Sequence, residues 1–242
     1  MPSDATPLDL IAVVWFLGAW SAFTLVQDYL LKERVAVNQH LTLIRAVWME
    51  RMLERDNRIM DSQLVGHTMN SCTFFASTTM LVLAGLVGSF GAIERVHDIL
   101  SGLSFAVRTS RELLELKMLV LMGIFVFGFF KFTWALRQYN YCCALLGSAP
   151  LPPVPEAECK AMAGNIAAAM TLAVKAFNGG LRSYYFALAA LAWFIHPGIF
   201  MAATGGVLLV LVRRQGFSRT ERVISAQADA LERSATNRPN AV

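Results

Sequence analysis

Long apolar stretches alternate with polar ones along this chain in a way that predicts helices of membrane-crossing length. Four stretches are nearly free of charge: 10–26, 71–93, 118–136 and 183–212. Each is close to or above the roughly 20 residues that a helix needs to cross a bilayer. A buried helix of a soluble protein can imitate one such stretch, but four in one chain predict an all-α, polytopic transmembrane helical bundle. After the first, Val37, Leu41, Ile44, Trp48 and Met52 recur at steps of three and four with charges between them, which predicts a long amphipathic helix over about 36–66.

Local signals refine this outline. Thr109 stands three residues before Glu112, a capping box that would start the third crossing helix. The run Gly147-Ser148-Ala149-Pro150-Leu151-Pro152-Pro153-Val154-Pro155 cannot continue a helix. Pro155 followed by Glu156 and Glu158 starts a new one, with acids at its positive end. That helix is predicted to run through the alanine-rich 161–176 and stop at Asn178-Gly179-Gly180, making 161–177 a short fifth crossing or, alternatively, an interfacial helix. Within 183–212, Pro197-Gly198 predicts a kink or a junction of two half-helices. The chain thus divides into a membrane domain over 1–214 and a tail over 215–242, with a short helix and then disorder around Asn237-Arg238-Pro239.

Composition agrees with this: 56% hydrophobic, 16% charged, mean hydropathy +0.50. The net charge of +4 sits in the connecting segments, the usual dressing of a membrane protein, and no aromatic-basic interleaving points to nucleic acid. Asp4 and Asp9 precede the first apolar stretch with no basic residue or small-residue cleavage pattern, so it reads as a retained helix. With four crossings the basic residues divide evenly between the two sides. Counting 161–177 as a fifth places most of them with the tail, which predicts an outside N-terminus and a cytoplasmic C-terminus, in a bacterial inner membrane.

Candidate chemistry is sparse. Asn57 and Asp61 lie four apart, and Asn70, Thr73 and Ser77 follow at three and four, so each group shares a helix face, with His67 between them. Polar groups at membrane depth need partners, and Lys131, Asn165, Asn178 and His196 are the candidates within the chain. Lys131 near the end of its span is expected to snorkel outward, with Trp134, Tyr139 and Tyr141 as an interfacial belt. Gly85, Gly88 and Gly91 permit close helix approach. Cys72, Cys142, Cys143 and Cys159 match no zinc or dithiol spacing, no metal-ligand spacing involves a histidine, and no cofactor is expected.

The run from Arg55 to Thr79, RxNRIxDSQLxGHxxNxxTFFASTT, together with Asn178-Gly179-Gly180-Leu181-Arg182-Ser183-Tyr184-Tyr185-Phe186, Trp193 and Pro197, resembles a family of membrane proteins. That family is known as a domain of unknown function in proteobacteria and plants, and the resemblance covers roughly 10–214. It implies an integral membrane protein and assigns no substrate or residue role. Three function classes remain. The first is an oligomeric permeation protein for small ions or solutes, with the polar stripe lining a path and Asp61 or His67 near its mouth. The second is a structural or accessory subunit that meets copies of itself or another membrane protein through helix contacts. The third is a membrane-surface enzyme, for which Asp56, Asp61 and His67 are present but no nucleophile with a positioned base is.

Overall fold

The computed structural model describes residues 6–27, 36–102, 107, 109–216 and 219–236, and every regular element among them is helical. In chain order these are α1 (Pro7–Leu25), α2 (Ala36–Leu53), α3 (Ile59–Phe90), α4 (Ile93–Ser101), α5 (Arg111–Ser148), α6 (Glu156–Leu191), α7 (Pro197–Gly216) and α8 (Arg219–Thr236), with a 3-10 turn at Ala192–Phe194. Asn237, Arg238 and Pro239, where the tail is expected to be disordered, lie outside the described residues.

Local chemistry explains where the helices begin. At α1 the Thr6 hydroxyl accepts the Asp9 amide and the Asp9 carboxylate accepts the Thr6 amide, with Pro7 in the first helical position. The amphipathic pattern of 36–66 does not form one helix. It breaks between Leu53 and Ile59, where the Asn57 side-chain oxygen accepts the Ile59 amide at 3.0 Å and starts α3. At α5 the cap is Ser110, whose hydroxyl accepts the Leu113 amide at 3.4 Å. Thr109, the residue expected to cap, bonds the Val107 carbonyl instead.

Two expectations for the C-terminal half are overturned. The helix that should stop at Asn178-Gly179-Gly180 runs straight through them to Leu191. No glycine here has a positive φ, and the pair serves close packing. A Cβ on Gly180 would lie 2.5 Å from the Phe132 ring, and one on Gly179 would touch the stem of Lys131 at 3.4 Å. The stretch 183–212 is consequently neither one kinked helix nor two half-helices meeting at Pro197-Gly198. Its first part completes α6, the chain turns at Ala192–Phe194, and Pro197 stands at the first position of α7.

Four helical stretches are long and apolar enough to cross a membrane: α1, α3, α5 and the one that begins at Pro197. Three helices far exceed a bilayer. The 32, 38 and 36 residues of α3, α5 and α6 make rods of about 48, 57 and 54 Å, against a hydrocarbon core of about 30 Å. Their surplus lies at one end, because Phe90 of α3 and Leu114 and Met118 of α5 gather under α4 at the other. The molecule therefore has two halves sharing the long helices.

In the aromatic half, α1 and α7 pack on α5 and α6 around Phe16, Phe23, Phe186, Trp193 and Phe200. In the second half, α2 packs on α6, and Met49, Met52, Cys72, Ala135, Cys142, Ala163, Ala167, Met170 and Ala173 form a core of small and flexible side chains. The buried flank of α6 changes between the halves. Met170 is 3% exposed while Leu188, five turns on and on the same flank, is 63% exposed. On the opposite flank Leu172 is 55% exposed and Ala190, again five turns on, 2%.

Chain direction fixes the role of α6. The starts of α5 and α7 meet at one end, where Lys117 donates to the Trp193 carbonyl and Val107 bonds Ile195. Both helices run away from that end, so α6 must return to it between them. The half of α6 that does so lies beyond Ala176, not within 161–177, which packs against α2.

Candidate functional site

Asp61 is the most enclosed of the candidate residues. It is 1% exposed, and Arg55 donates to both of its oxygens at 3.0 Å while Trp48 Nε1 donates at 2.7 Å. Asp61 lies in the first turn of α3 and Trp48 five residues before the end of α2, so this carboxylate ties the two helices across the break between them. A buried acid with three charge-assisted or indole hydrogen bonds is fixed in position. It is a joint between helices rather than a free group at the mouth of a path.

The rest of the stripe faces outward. His67, Asn70, Thr73 and Ser77 are exposed, and among the described residues none of their side chains bonds to another helix. The Thr73 hydroxyl donates back to the Met69 carbonyl at 3.1 Å, as hydroxyls on helices do. Asn57 is exposed and serves the start of α3. The level of these residues also differs from the sequence expectation for 71–93. Phe75 stacks on Phe132, and Thr79 and the Tyr184 hydroxyl are 2.9 Å apart, at the border of the two halves. Most of the stripe thus lies in the small-residue half, which explains how one helix carries both polarity and a span.

The other candidates do not join it. Asn165 and Asn178 are exposed on α6. Lys131 lays its stem on Gly179, and its ammonium sits 5.3 Å from the Phe127 ring, one turn toward the aromatic core, so it does not reach outward as a snorkelling lysine would. His196 is at the far end, where its Nδ1 accepts the Gly198 amide at 2.9 Å and caps α7. Of the expected belt, Trp134 and Tyr141 are exposed but Tyr139 is 1% exposed and belongs to the core.

Sequence reading missed three buried polar groupings. Asp9 accepts from Trp193 Nε1 at 2.8 Å, and the Lys117 ammonium lies 5.5 Å from the same ring, joining α1, α5 and the α6–α7 turn. Arg182 donates to Gln27 at 2.7 Å at the other end of α1. In the small-residue half, Arg45 of α2 reaches the Thr171 hydroxyl of α6 at 3.4 Å, near Tyr139, which bonds Thr68. Burial holds the Arg45 guanidinium below the usual arginine range, with Tyr139 opposing. Asp9 and Lys117 were legible only as charges bordering apolar runs; nothing in the spacing of Arg45, Tyr139 and Thr171 announces their meeting.

Among the described residues, no three His, Cys, Asp or Glu side chains gather as a metal would require. The Cys159 thiol is pushed up by burial, and then by Glu54, Glu50 and Glu156, which disfavours the thiolate a nucleophile needs. Residues 11–220 match the model of a family described as "Protein of unknown function, DUF599". No curated protein and no solved structure matches the chain.

Proposed function

Since the chain belongs to that family of unknown function across most of its length, we propose from the arrangement itself that this membrane protein acts as an assembly, with α3 as the contact helix between copies. The carrying observation is the outward face of α3. It holds Asn70, Thr73 and Ser77 around its middle and continues at helical spacing to Ala84, Gly85 and Gly88, all exposed. A Cβ on Gly85 or Gly88 would meet nothing within 4 Å, whereas Gly128 and Gly180 are filled by their neighbours. Of the four apolar stretches, that of α3 has the smallest buried share. Small residues let helix backbones approach in lipid, and an Asn amide carries both donor and acceptor, so it can pair with its own copy across a two-fold axis.

A permeation role is the second reading, favoured by the same stripe: copies arranged around a central axis would line it with Asn70, Thr73 and Ser77. The accessory reading needs only the contact. Native mass spectrometry of the protein released from mild detergent tests the assembly, and a monomer would sink it. Gly88→Leu should break the oligomer. Asn70→Leu should reduce ion flux into liposomes with assembly intact under permeation, and should weaken assembly itself under the accessory reading.

The reading includes a topology. Asp9 and Gln27 mark the two ends of α1, about 27 Å apart along a helix, which suits one hydrocarbon core. With the second half of α6 as a fifth crossing, every Lys and Arg of the chain except Arg95, Arg108, Arg111 and Lys117 falls on the side of the C-terminus. By the positive-inside tendency that side is cytoplasmic and the N-terminus is outside. The small-residue half then stands in the cytoplasm, and a bacterial inner membrane suits this orientation.

A further inference from the structure

Several arginines of this molecule are held by carboxylates or by carbonyl oxygens. Arg55 holds the Asp61 carboxylate through two bonds, Arg111 holds Glu94 and Glu115, Arg58 donates to the Ala149 and Pro150 carbonyls, and Arg182 donates to Gln27. Arg45 is half-buried between α2 and α6, yet among the described residues its one hydrogen bond is the 3.4 Å contact to the Thr171 hydroxyl. Among the described residues no carboxylate pairs with it. A guanidinium carries five N–H donors in a planar fork, and withdrawing it from water without an anion is costly. The nearest buried acid, Asp61, is already taken by Arg55 and Trp48.

The surroundings of Arg45 suit an incoming oxyanion. The Thr171 hydroxyl donates to the Ala167 carbonyl at 2.8 Å, which holds its oxygen in place beside Arg45. Thr171 lies eight residues before Gly179, where α6 meets Lys131, so Arg45 sits about 12 Å below that level, within reach of lipid headgroups and open to the aqueous side.

We propose that Arg45, positioned against Thr171 between α2 and α6, is the cationic centre of a binding site for a phosphate-bearing anion. Arginine's fork matches two oxygens of a phosphate at once, and the half-dry setting strengthens each bond. The phosphate can belong to a lipid headgroup or to a soluble molecule; the residues recognise the same group in both. This site does not depend on α3 acting as a contact helix, since α2 and α6 form it within one copy.

The test uses the full chain, purified in detergent and in phosphatidylcholine nanodiscs with and without phosphatidylglycerol. Unfolding temperature is followed against inorganic phosphate and against lipid composition for the natural protein, Arg45→Gln and the exposed control Arg137→Gln. Stabilisation by inorganic phosphate that weakens about tenfold or more in apparent affinity in Arg45→Gln, but not in Arg137→Gln, supports a site for a soluble phosphate. Stabilisation only by phosphatidylglycerol, with the same dependence on Arg45, supports a lipid phosphate. If neither probe stabilises the natural protein, or Arg45→Gln responds as it does, the proposal is overturned and Arg45 is a packing group whose open side is hydrated. Should Arg45→Gln not fold, Arg45→Lys keeps the charge without the fork: a severalfold weaker response supports the site, and an unchanged one overturns it.

Discussion

The two halves of this molecule are held together by different means, although α3, α5 and α6 pass through both. The aromatic half interlocks rings: Phe16 lies 5.6 Å from Phe186 and 5.0 Å from Phe200, and Trp193 stacks on Phe200 at 5.4 Å. The other half packs alanine, methionine and cysteine and adds a buried ion pair at Asp61. With the topology proposed above, the difference follows from the solvent outside. In lipid an apolar side chain gains little by being buried, so shape-matched rings and small-residue contacts must supply the cohesion. In water the hydrophobic effect drives even alanine and methionine together, and a helix needs only one apolar flank.

The comparison breaks most sharply at two leucines that are equally open. Leu172 and Leu188 both lie on the surface of α6, one in each half. Leu188→Asp should cost about 3 kcal/mol of membrane insertion, and Leu172→Asp close to nothing. A glycosylation-based insertion assay on both variants checks this; equal tolerance would mean that the small-residue half is not in water.

Gly180 stands where the halves join. Gly180→Ala forces a methyl into the Phe132 ring, which is fully buried and cannot move aside, and should cost about 2–3 kcal/mol. Thermal unfolding in detergent reads the loss, and both halves should lose cooperativity together. If hydrogen exchange in α2 and α1 stays uncoupled in this variant, α6 is not the shared spine.

A smaller and more local effect is expected at Asp61. Asp61→Asn weakens the tie from α3 to Arg55 and Trp48, with a loss of about 2 kcal/mol, reduced because Arg55 keeps some contact with water. Amide exchange should quicken in α2 and the first turns of α3 while α1 and α7 keep their protection. The smallest effect belongs to His196→Ala, which removes the cap of α7 at about 1 kcal/mol. Its signature is faster exchange confined to the first turn of α7.

The candidate site shows how far residue spacing reaches. Asn70, Thr73 and Ser77 were legible as one helix face because three and four residues make a turn, and the structure places them together, facing outward. Asp61 was legible as polar and important to place, but its partners come from α2 across a break that the periodicity concealed. Arg45 and Thr171 are 126 positions apart in the chain, and no local pattern can announce such a meeting. Glycine misled in one case: Gly179-Gly180 reads as a stop because glycine weakens isolated helices, yet between α5 and α6 it allows the close approach that holds the helix.

By itself the sequence determined the all-helical membrane class, the four apolar stretches and the starts of α2, α5 and α6 to within a residue or two, since these depend on hydropathy, caps and prolines within a few residues. Only the tertiary structure decided that α6 runs on through its glycines, that 183–212 is shared by two helices, and that the polar first half of α3 stands beyond the aromatic core. The physical reason is that helix ends and depth here are set by what packs alongside. Phe132 against Gly180, Trp48 against Asp61 and the opposite flanks of α6 are contacts between distant parts of the chain, which no window of neighbouring residues contains.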